Sequence, residues 1–172
     1  MDKTNPPAAI ACYIGAEHLR PSDPWLRQQG LFAGLIIFGI PHYGVQFKCR
    51  VEGDLIDLEF AAFFALLRTI TTKLKDEAIR SVEVFSSNPE FVFAFTGRSK
   101  HLEDGSERVK LINEYSQKLN ISVRLIDRRH NQALRSPAEY PALPTNRYVA
   151  MKPDPFEHRK VRIGPFLRGV EL

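Results

Sequence analysis

The sequence predicts an α/β domain built on a mixed five-stranded sheet. Residues 45–52 alternate apolar and polar side chains, which is typical of a strand with one buried and one solvated face. Residues 54–74 repeat apolar side chains at steps of three and four, which predicts one long, largely buried helix. Strand-like and helix-like segments alternate after this helix, so we expect a sheet flanked by helices.

Three strands are predicted before the long helix. Residues 8–14 form a short apolar run that Gly15 ends. Residues 31–40 form a second apolar run, and Pro41 closes it because proline cannot donate a hydrogen bond to a neighbouring strand. The alternating segment follows after a short turn, so the second and third strands should pair antiparallel.

The long helix is predicted to begin at Asp54, whose carboxylate can cap the first turn while Asp57 reaches back to it. Glu59 lies inside the apolar part of this helix. A structural role is one interpretation of Glu59, because the helix dipole favours an acid near a helix start and the acid can pair with Arg50 or Arg128. The other interpretation is that Glu59 acts in a functional site, as a ligand of a metal ion.

The second half of the domain is predicted to alternate helices and strands. Residues 81–86 form a fourth strand, and Asn88 followed by a proline starts a short helix. A further helix begins at Ser106, and residues 121–127 form a fifth strand. The fourth and fifth strands should be parallel and joined by a right-handed crossover.

Length and charge divide the chain into a domain and a tail. The 172 residues fit one domain at residues 8–135 and a proline-rich tail at 136–172, where six of the twelve prolines lie. Residues 128–172 contain nine Lys/Arg against four Asp/Glu, a net +5, which leaves −1 for the preceding residues. A basic tail suits phosphate or an acidic protein surface, and it could also act only as a solvated segment.

The cysteines and the apolar runs predict a cytoplasmic protein. Cys12 and Cys49 lie in strand-like segments without metal-binding spacing, so we expect buried free thiols in a reducing compartment. No apolar run has the length of a membrane span, and the first residues lack the apolar stretch of a signal peptide.

The chain resembles a ribonuclease H-like domain. The order of predicted elements agrees, and the resemblance extends from about residue 8 to residue 140. Three stretches resemble family segments: LEFAAFFALLRTI at 58–70, FSSNPEFV at 85–92 and DRRHNQALRSPAE at 127–139. The resemblance implies a mixed sheet of five strands, the first three antiparallel, flanked by helices.

The resemblance also allows the catalytic acids of the family to be compared with the residues of this chain. In this family, four acids hold two divalent metal ions, Mg or Mn, which activate water and stabilise the leaving oxygen of a phosphodiester. The corresponding positions here are Ile14, Glu59, Ser86 or Ser87, and Arg135. Glu59 is the one acid among them, so it is the single candidate catalytic residue. The resemblance therefore implies a catalytically impaired domain, without a cofactor and without a metal site.

Three functions are consistent with the sequence. The first is a non-catalytic module that binds an RNA–DNA hybrid or a duplex through basic sheet-edge and tail residues. Its candidate contacts are Lys48, Arg50, Arg124, Arg128, Arg129 and His130. The second is a protein-interaction module that assembles into a homo-oligomer through the C-terminal tail. The third is a metal-dependent ribonuclease whose carboxylates have moved to Asp54, Asp57 or Asp127.

Overall fold

The computed structural model describes residues 9–18 and 33–134. Its strands and helices are β1 Ile10–His18, β2 Ala33–Ile40, β3 Val45–Glu52, α1 Leu55–Thr72, β4 Ser81–Ser86, α2 Pro89–Ala94, α3 Glu107–Ser116 and β5 Asn120–Leu125. Short 3₁₀ turns include Arg128–His130 and Gln132–Leu134. The metal position predicted at Arg135 and the predicted tail at 136–172 lie outside the described residues.

The strands form one mixed sheet in the order β3-β2-β1-β4-β5. β1 pairs antiparallel with β2, and β2 with β3. β4 pairs parallel with β1 and with β5. The predicted mixed five-stranded sheet is thereby confirmed, including its antiparallel hairpin and its parallel β4–β5 crossover.

Two local predictions were wrong. Gly15 does not end β1, because it pairs with Ile37 inside the β1–β2 ladder and the strand continues to His18. Asp54 occupies the N-cap of α1, and its backbone carbonyl accepts the Leu58 N–H at 2.9 Å, but its carboxylate makes no capping hydrogen bond. Asp57 does not complete a capping box either, since it forms an ion pair with Arg108 of α3.

The hydrophobic core lies between α1 and one face of the sheet, which we call the helix face. Alternate residues of β1 and β4, such as Ile14 and Val84, are fully buried on this face. α1 approaches β2 so closely that a Cβ on Gly34 would lie 2.1 Å from a methyl carbon of Leu58. Phenylalanines of α1 and of the α2 region complete the core, including the edge-to-face pair Phe63–Phe91 at 5.5 Å between ring centroids.

The opposite side of the sheet, which we call the second face, also has buried positions, such as Ile37. Strand side chains alternate between faces, so Tyr13 and Phe85 point away from the buried Ile14 and Val84. Within the described residues α1, α2 and α3 all contribute to the core on the helix face. Leu134 lies on the second face, where a Cβ on Gly15 would approach its side chain to 2.5 Å. Glycine therefore permits the Gln132–Leu134 turn to pack closely on β1.

Cys12 and Cys49 are both in the thiol form and do not form a disulfide. Cys12 is buried, and this burial raises the pKa of its thiol to about 12. Cys49 is half-buried rather than buried as the sequence predicted, because β3 is an edge strand with one neighbour. Among the described helices, none has the length and apolar character needed to cross a membrane.

The start of α3 permits a test of the predicted helix boundary. Ser106 Oγ accepts a hydrogen bond from the Val109 backbone N–H at 3.3 Å, as an N-cap serine does. Ser106→Ala should lower the free energy of unfolding by about 1 kcal/mol in urea titrations. The control Ser116→Ala removes an exposed serine at the end of the same helix and should change this energy by less than about 0.5 kcal/mol. Equal losses in the two variants would contradict the capping role.

Candidate functional site

A buried polar cluster lies where the carboxyl ends of β1 and β4 meet α1. Glu59 is 2% exposed, and Ser86 at the end of β4 is fully buried. Ser86 Oγ donates a hydrogen bond to Glu59 Oε1 at 2.5 Å and accepts one from the Asn88 backbone N–H at 3.0 Å. The Ala16 backbone N–H also hydrogen-bonds to the Glu59 carboxylate. The acid of α1 is therefore held by groups from two strands, β1 and β4.

The environment of Glu59 favours its neutral form. Burial raises the pKa of this carboxyl from 4.5 to about 7. The Ser86 hydroxyl, the charge of Arg128 and the Ala16 amide each act in the opposite direction and lower the pKa. Arg128 does not form the predicted ion pair with Glu59, because it pairs with Glu17 at 2.9 Å. Near neutral pH a large fraction of Glu59 is protonated.

Asn131 joins the end of the described chain to this part of the sheet. Its side chain is fully buried, and its Nδ2 donates to the Ile14 carbonyl at 2.8 Å and to Ser87 Oγ at 3.2 Å. Its Oδ1 accepts the Ala133 N–H at 3.1 Å. Sequence reasoning did not single out Asn131, although its place within the stretch 127–139 that resembles the family was an available signal.

Two of the predicted metal-ligand positions in the described residues, Ile14 and Ser86, offer no carboxylate to a divalent ion. Ile14 is fully buried, and Ser86 donates its hydroxyl hydrogen to Glu59 instead of offering a carboxylate. Hard divalent cations require several oxygen ligands, usually including more than one carboxylate. Across residues 9–18 and 33–134, no group of three or more His, Cys, Asp or Glu side chains could hold a metal ion. Among the predicted ligand positions that the structure describes, Glu59 has the one carboxyl group, and burial raises the pKa of this group.

Two of the three relocated acids considered from the sequence, Asp57 and Asp127, have arginine partners. Asp57 pairs with Arg108 on α3. Asp127 accepts the backbone N–H of Arg129 at 2.8 Å, and hydrogen bonding from the Arg129 side chain and backbone lowers the pKa of its carboxyl. Both acids therefore have partners other than a metal ion that account for their positions.

The basic residues predicted from the sequence fall into two groups. Four lie on or just after β5: Arg124, Arg128, Arg129 and His130. Lys48 and Arg50 lie on β3, at the other edge of the sheet. Four inter-strand spacings of about 4.8 Å separate these edges by about 19 Å. The six residues therefore do not form one continuous basic patch.

Each arginine of the β5 group has an acidic partner. Arg124 Nε lies 2.5 Å from Glu83 Oε1, and Arg129 Nε lies 3.2 Å from Asp127 Oδ1. The side chains of Arg128 and Arg129 are nevertheless 65% and 85% exposed. Exposed ion pairs of this kind contribute little to stability, so a competing anion can replace the carboxylate.

The comparisons with known proteins concern the fold. No family model matches the sequence, and no curated protein sequence matches it. The structure is similar to RNase H1 from the halophilic archaeon Halobacterium salinarum NRC-1, with 14% identity, 73% of this chain and 90% of that chain covered, and a TM-score of 0.50. It is also similar to LC11-RNase H1 in complex with an RNA/DNA hybrid, with 16% identity, 72% and 88% coverage, and a TM-score of 0.52.

These similarities establish the class of fold. The described domain has a ribonuclease H-like fold, with its five-stranded mixed sheet and flanking helices. The resemblance identified from the sequence is therefore confirmed at the level of the fold.

Proposed function

We propose that this chain is a nucleic-acid-binding module that retains the ribonuclease H-like fold and does not cleave its ligand. The observation that carries the proposal is the pair of exposed arginines, Arg128 and Arg129, immediately after β5. They follow the carboxyl end of a strand that is parallel to β4, beside the Glu59 cluster. The similar LC11-RNase H1 structure contains an RNA/DNA hybrid, which makes a hybrid the first ligand to test.

The electrostatics of the arginine pair support phosphate binding. Arg128 and Arg129 each pair with one exposed or half-exposed carboxylate, Glu17 and Asp127 respectively. Bidentate contact with phosphate and release of condensed counterions can replace these weak pairs without leaving a buried charge behind. Binding of this kind is independent of sequence and weakens with salt.

The Glu59 cluster supports the absence of cleavage. Two-metal hydrolysis needs carboxylates that attract two divalent ions and hold them against water. Glu59 is buried, has a pKa of about 7 and is already bonded to Ser86 and to the Ala16 amide. The equivalent of the first-strand acid is the apolar Ile14. This set of ligand positions does not meet that requirement.

The test is fluorescence anisotropy of a labelled RNA–DNA hybrid with Mg²⁺ present, at low and at physiological salt. Arg128→Gln combined with Arg129→Gln should weaken binding about tenfold and reduce the slope of log affinity against log salt by about 2. Arg80→Gln is the matched control, because Arg80 is exposed and precedes β4 at the opposite end of that strand. It should leave affinity and slope nearly unchanged.

Three outcomes would contradict the proposal. Equal losses in the control and in the double variant would show that the arginine pair is not the contact. Cleavage of the hybrid that disappears in Glu59→Gln would establish the metal-dependent nuclease instead. Absence of binding even at low salt would exclude both nucleic-acid functions and leave protein interaction or self-assembly, which sedimentation of the full chain would then test.

A further inference from the structure

Glu17 connects the end of β1 to the turn that follows β5. Its Oε1 accepts a hydrogen bond from Arg128 Nη2 at 2.9 Å, although the two residues are 111 positions apart in the chain. The Glu17 side chain is 38% exposed and the Arg128 side chain is 65% exposed. The preceding residue of β1, Ala16, donates its backbone N–H to the Glu59 carboxylate. A carboxylate of β1 therefore already holds one of the two arginines on which the proposed function depends.

Arg129 is held in a different way, by an acid of its own turn. Asp127 Oδ1 accepts the Arg129 backbone N–H at 2.8 Å and its Nε–H at 3.2 Å, and Oδ2 lies 3.4 Å from Nη2. Asp127 thus also caps the turn, whereas Glu17 reaches Arg128 from another element through its side chain. Replacing Glu17 can therefore release an arginine without removing a cap from the turn.

A carboxylate beside a guanidinium occupies the place that a phosphate would take. Both groups are oxyanions that accept charge-assisted hydrogen bonds from arginine. A single phosphate that displaces Glu17 exchanges one such contact for another, and the displaced carboxylate remains nearby as a like charge. A nucleic-acid strand has a phosphate at every nucleotide, so after a first contact at Arg128 the contact at Arg129 is intramolecular. Each neutralised phosphate also releases counterions.

We propose that Glu17 is an internal competitor of phosphate, which occupies Arg128 in the free protein and is displaced by a ligand with several phosphates, such as a nucleic-acid strand. The inference rests on the proposed function, and it assigns to the same site a residue that sets its threshold for binding. Competition lowers the affinity of Arg128 for every phosphate. Removal of Glu17 should therefore strengthen binding, whereas removal of a residue that positions Arg128 for its ligand would weaken it.

The first experiment titrates the labelled RNA–DNA hybrid with the full-length chain carrying Glu17→Gln, by anisotropy at physiological salt. Glutamine keeps the size of the side chain and removes its charge, so the variant should bind about fivefold more tightly than the parent chain. Glu114→Gln is the matched control, because it removes the same charge from an exposed residue of α3. It should change the affinity less than about twofold, since salt screens charges beyond about 8 Å.

A double variant tests whether Glu17 acts through Arg128. In a chain that already carries Arg128→Gln, the addition of Glu17→Gln should change hybrid affinity no more than Glu114→Gln does, because the guanidinium for which Glu17 competes is absent. A fivefold gain in this background as well would contradict the proposed competition. Far-ultraviolet circular dichroism checks that each variant is folded.

A second measurement uses inorganic phosphate as the probe and needs no nucleic acid. The side-chain Nε–Hε signals of ¹⁵N-labelled arginines are followed by nuclear magnetic resonance as phosphate is added to the parent chain and to Glu17→Gln. The Arg128 signal should shift at an about fivefold lower phosphate concentration in the variant than in the parent chain. Identical titrations in the two chains would contradict the proposed competition.

The outcomes separate this inference from the proposed function. Hybrid binding that is unchanged or weaker in Glu17→Gln would overturn the competition and leave the arginine contact intact. Equal gains in Glu17→Gln and Glu114→Gln would also overturn it, because net charge alone would then explain the effect. Absence of hybrid binding in all variants would overturn the proposed function itself, and the phosphate titration would then decide whether Glu17 competes with anions for Arg128.

Discussion

Glu59→Gln should remove most of the decrease in stability that the domain shows as the pH rises from about 4.5 to about 7. Burial raises the pKa of Glu59 in the folded chain to about 7, whereas its ordinary value is 4.5. Below the lower value the acid is protonated in both states. Between the two values the unfolded chain loses this proton first, so folding becomes less favourable as the pH rises.

The size of this effect follows from the two pKa values. The difference between them is equivalent to about 3 kcal/mol in the free energy of unfolding. The folded chain has lost this contribution fully at pH values above about 7. Glutamine resembles the protonated acid, since it is neutral and can still accept a hydrogen bond from Ser86 or from the Ala16 amide. The variant should therefore be more stable than the parent chain above neutral pH and similar to it in mild acid.

Urea titrations at several pH values on both sides of neutrality provide the measurement. The control is Glu114→Gln, which replaces an exposed acid of α3 and should preserve the pH dependence of the parent chain. If Glu59→Gln and the parent chain lose stability in parallel as the pH rises, the neutral form of Glu59 is not the one that the fold selects. A negatively charged Glu59 would be a better ligand for a divalent metal ion than the neutral acid is.

The sequence predicted most elements because their signals are local. The alternation in β3, the apolar stripe of α1 and the cap at Asn88, whose Oδ1 accepts the Phe91 N–H at 3.2 Å, each depend on residues close together in the chain. The prediction at Gly15 was wrong because a glycine in an apolar run often marks the end of a strand. Here the glycine lies within β1 and leaves room for the side chain of Leu134.

The site could not be predicted to the same extent, because its contacts join distant segments. Ser86 and Glu59 were both placed at metal-ligand positions, but their hydrogen bond connects β4 to α1 and has no sequence signal. Asp57 satisfies every local rule for a capping residue, and it nevertheless pairs with Arg108 on α3.

Sheet order determines how the candidate basic residues are distributed. The sequence proposes basic residues of strands three and five as contacts without their relative position, and the order β3-β2-β1-β4-β5 places these strands at opposite edges. The same order brings Tyr13 beside Phe85, which the sequence separates widely. A strand order with crossovers is a property of the whole fold, so neither the separation nor the aromatic pair is visible in local patterns.

Asn131→Ala should lower the free energy of unfolding by about 3 kcal/mol and also weaken hybrid binding. Alanine would leave the Ile14 carbonyl and the Ala133 N–H without the hydrogen bonds that Asn131 provides, and each unsatisfied buried group costs about 1–3 kcal/mol. The asparagine also fixes the turn that follows Arg128 and Arg129. Its loss should release these arginines from their positions after β5.

Urea titration measures the first effect, and hybrid anisotropy measured without denaturant gives the second. Asn113→Ala is the control, because Asn113 is an exposed residue within α3, where alanine favours the helix, and its replacement should not destabilise the domain. An unfolding energy within about 0.5 kcal/mol of the parent value would contradict the buried hydrogen-bond network. A destabilised variant with full hybrid affinity would instead separate the two roles: Asn131 would stabilise the fold, and the arginines would contact phosphate without being positioned by it.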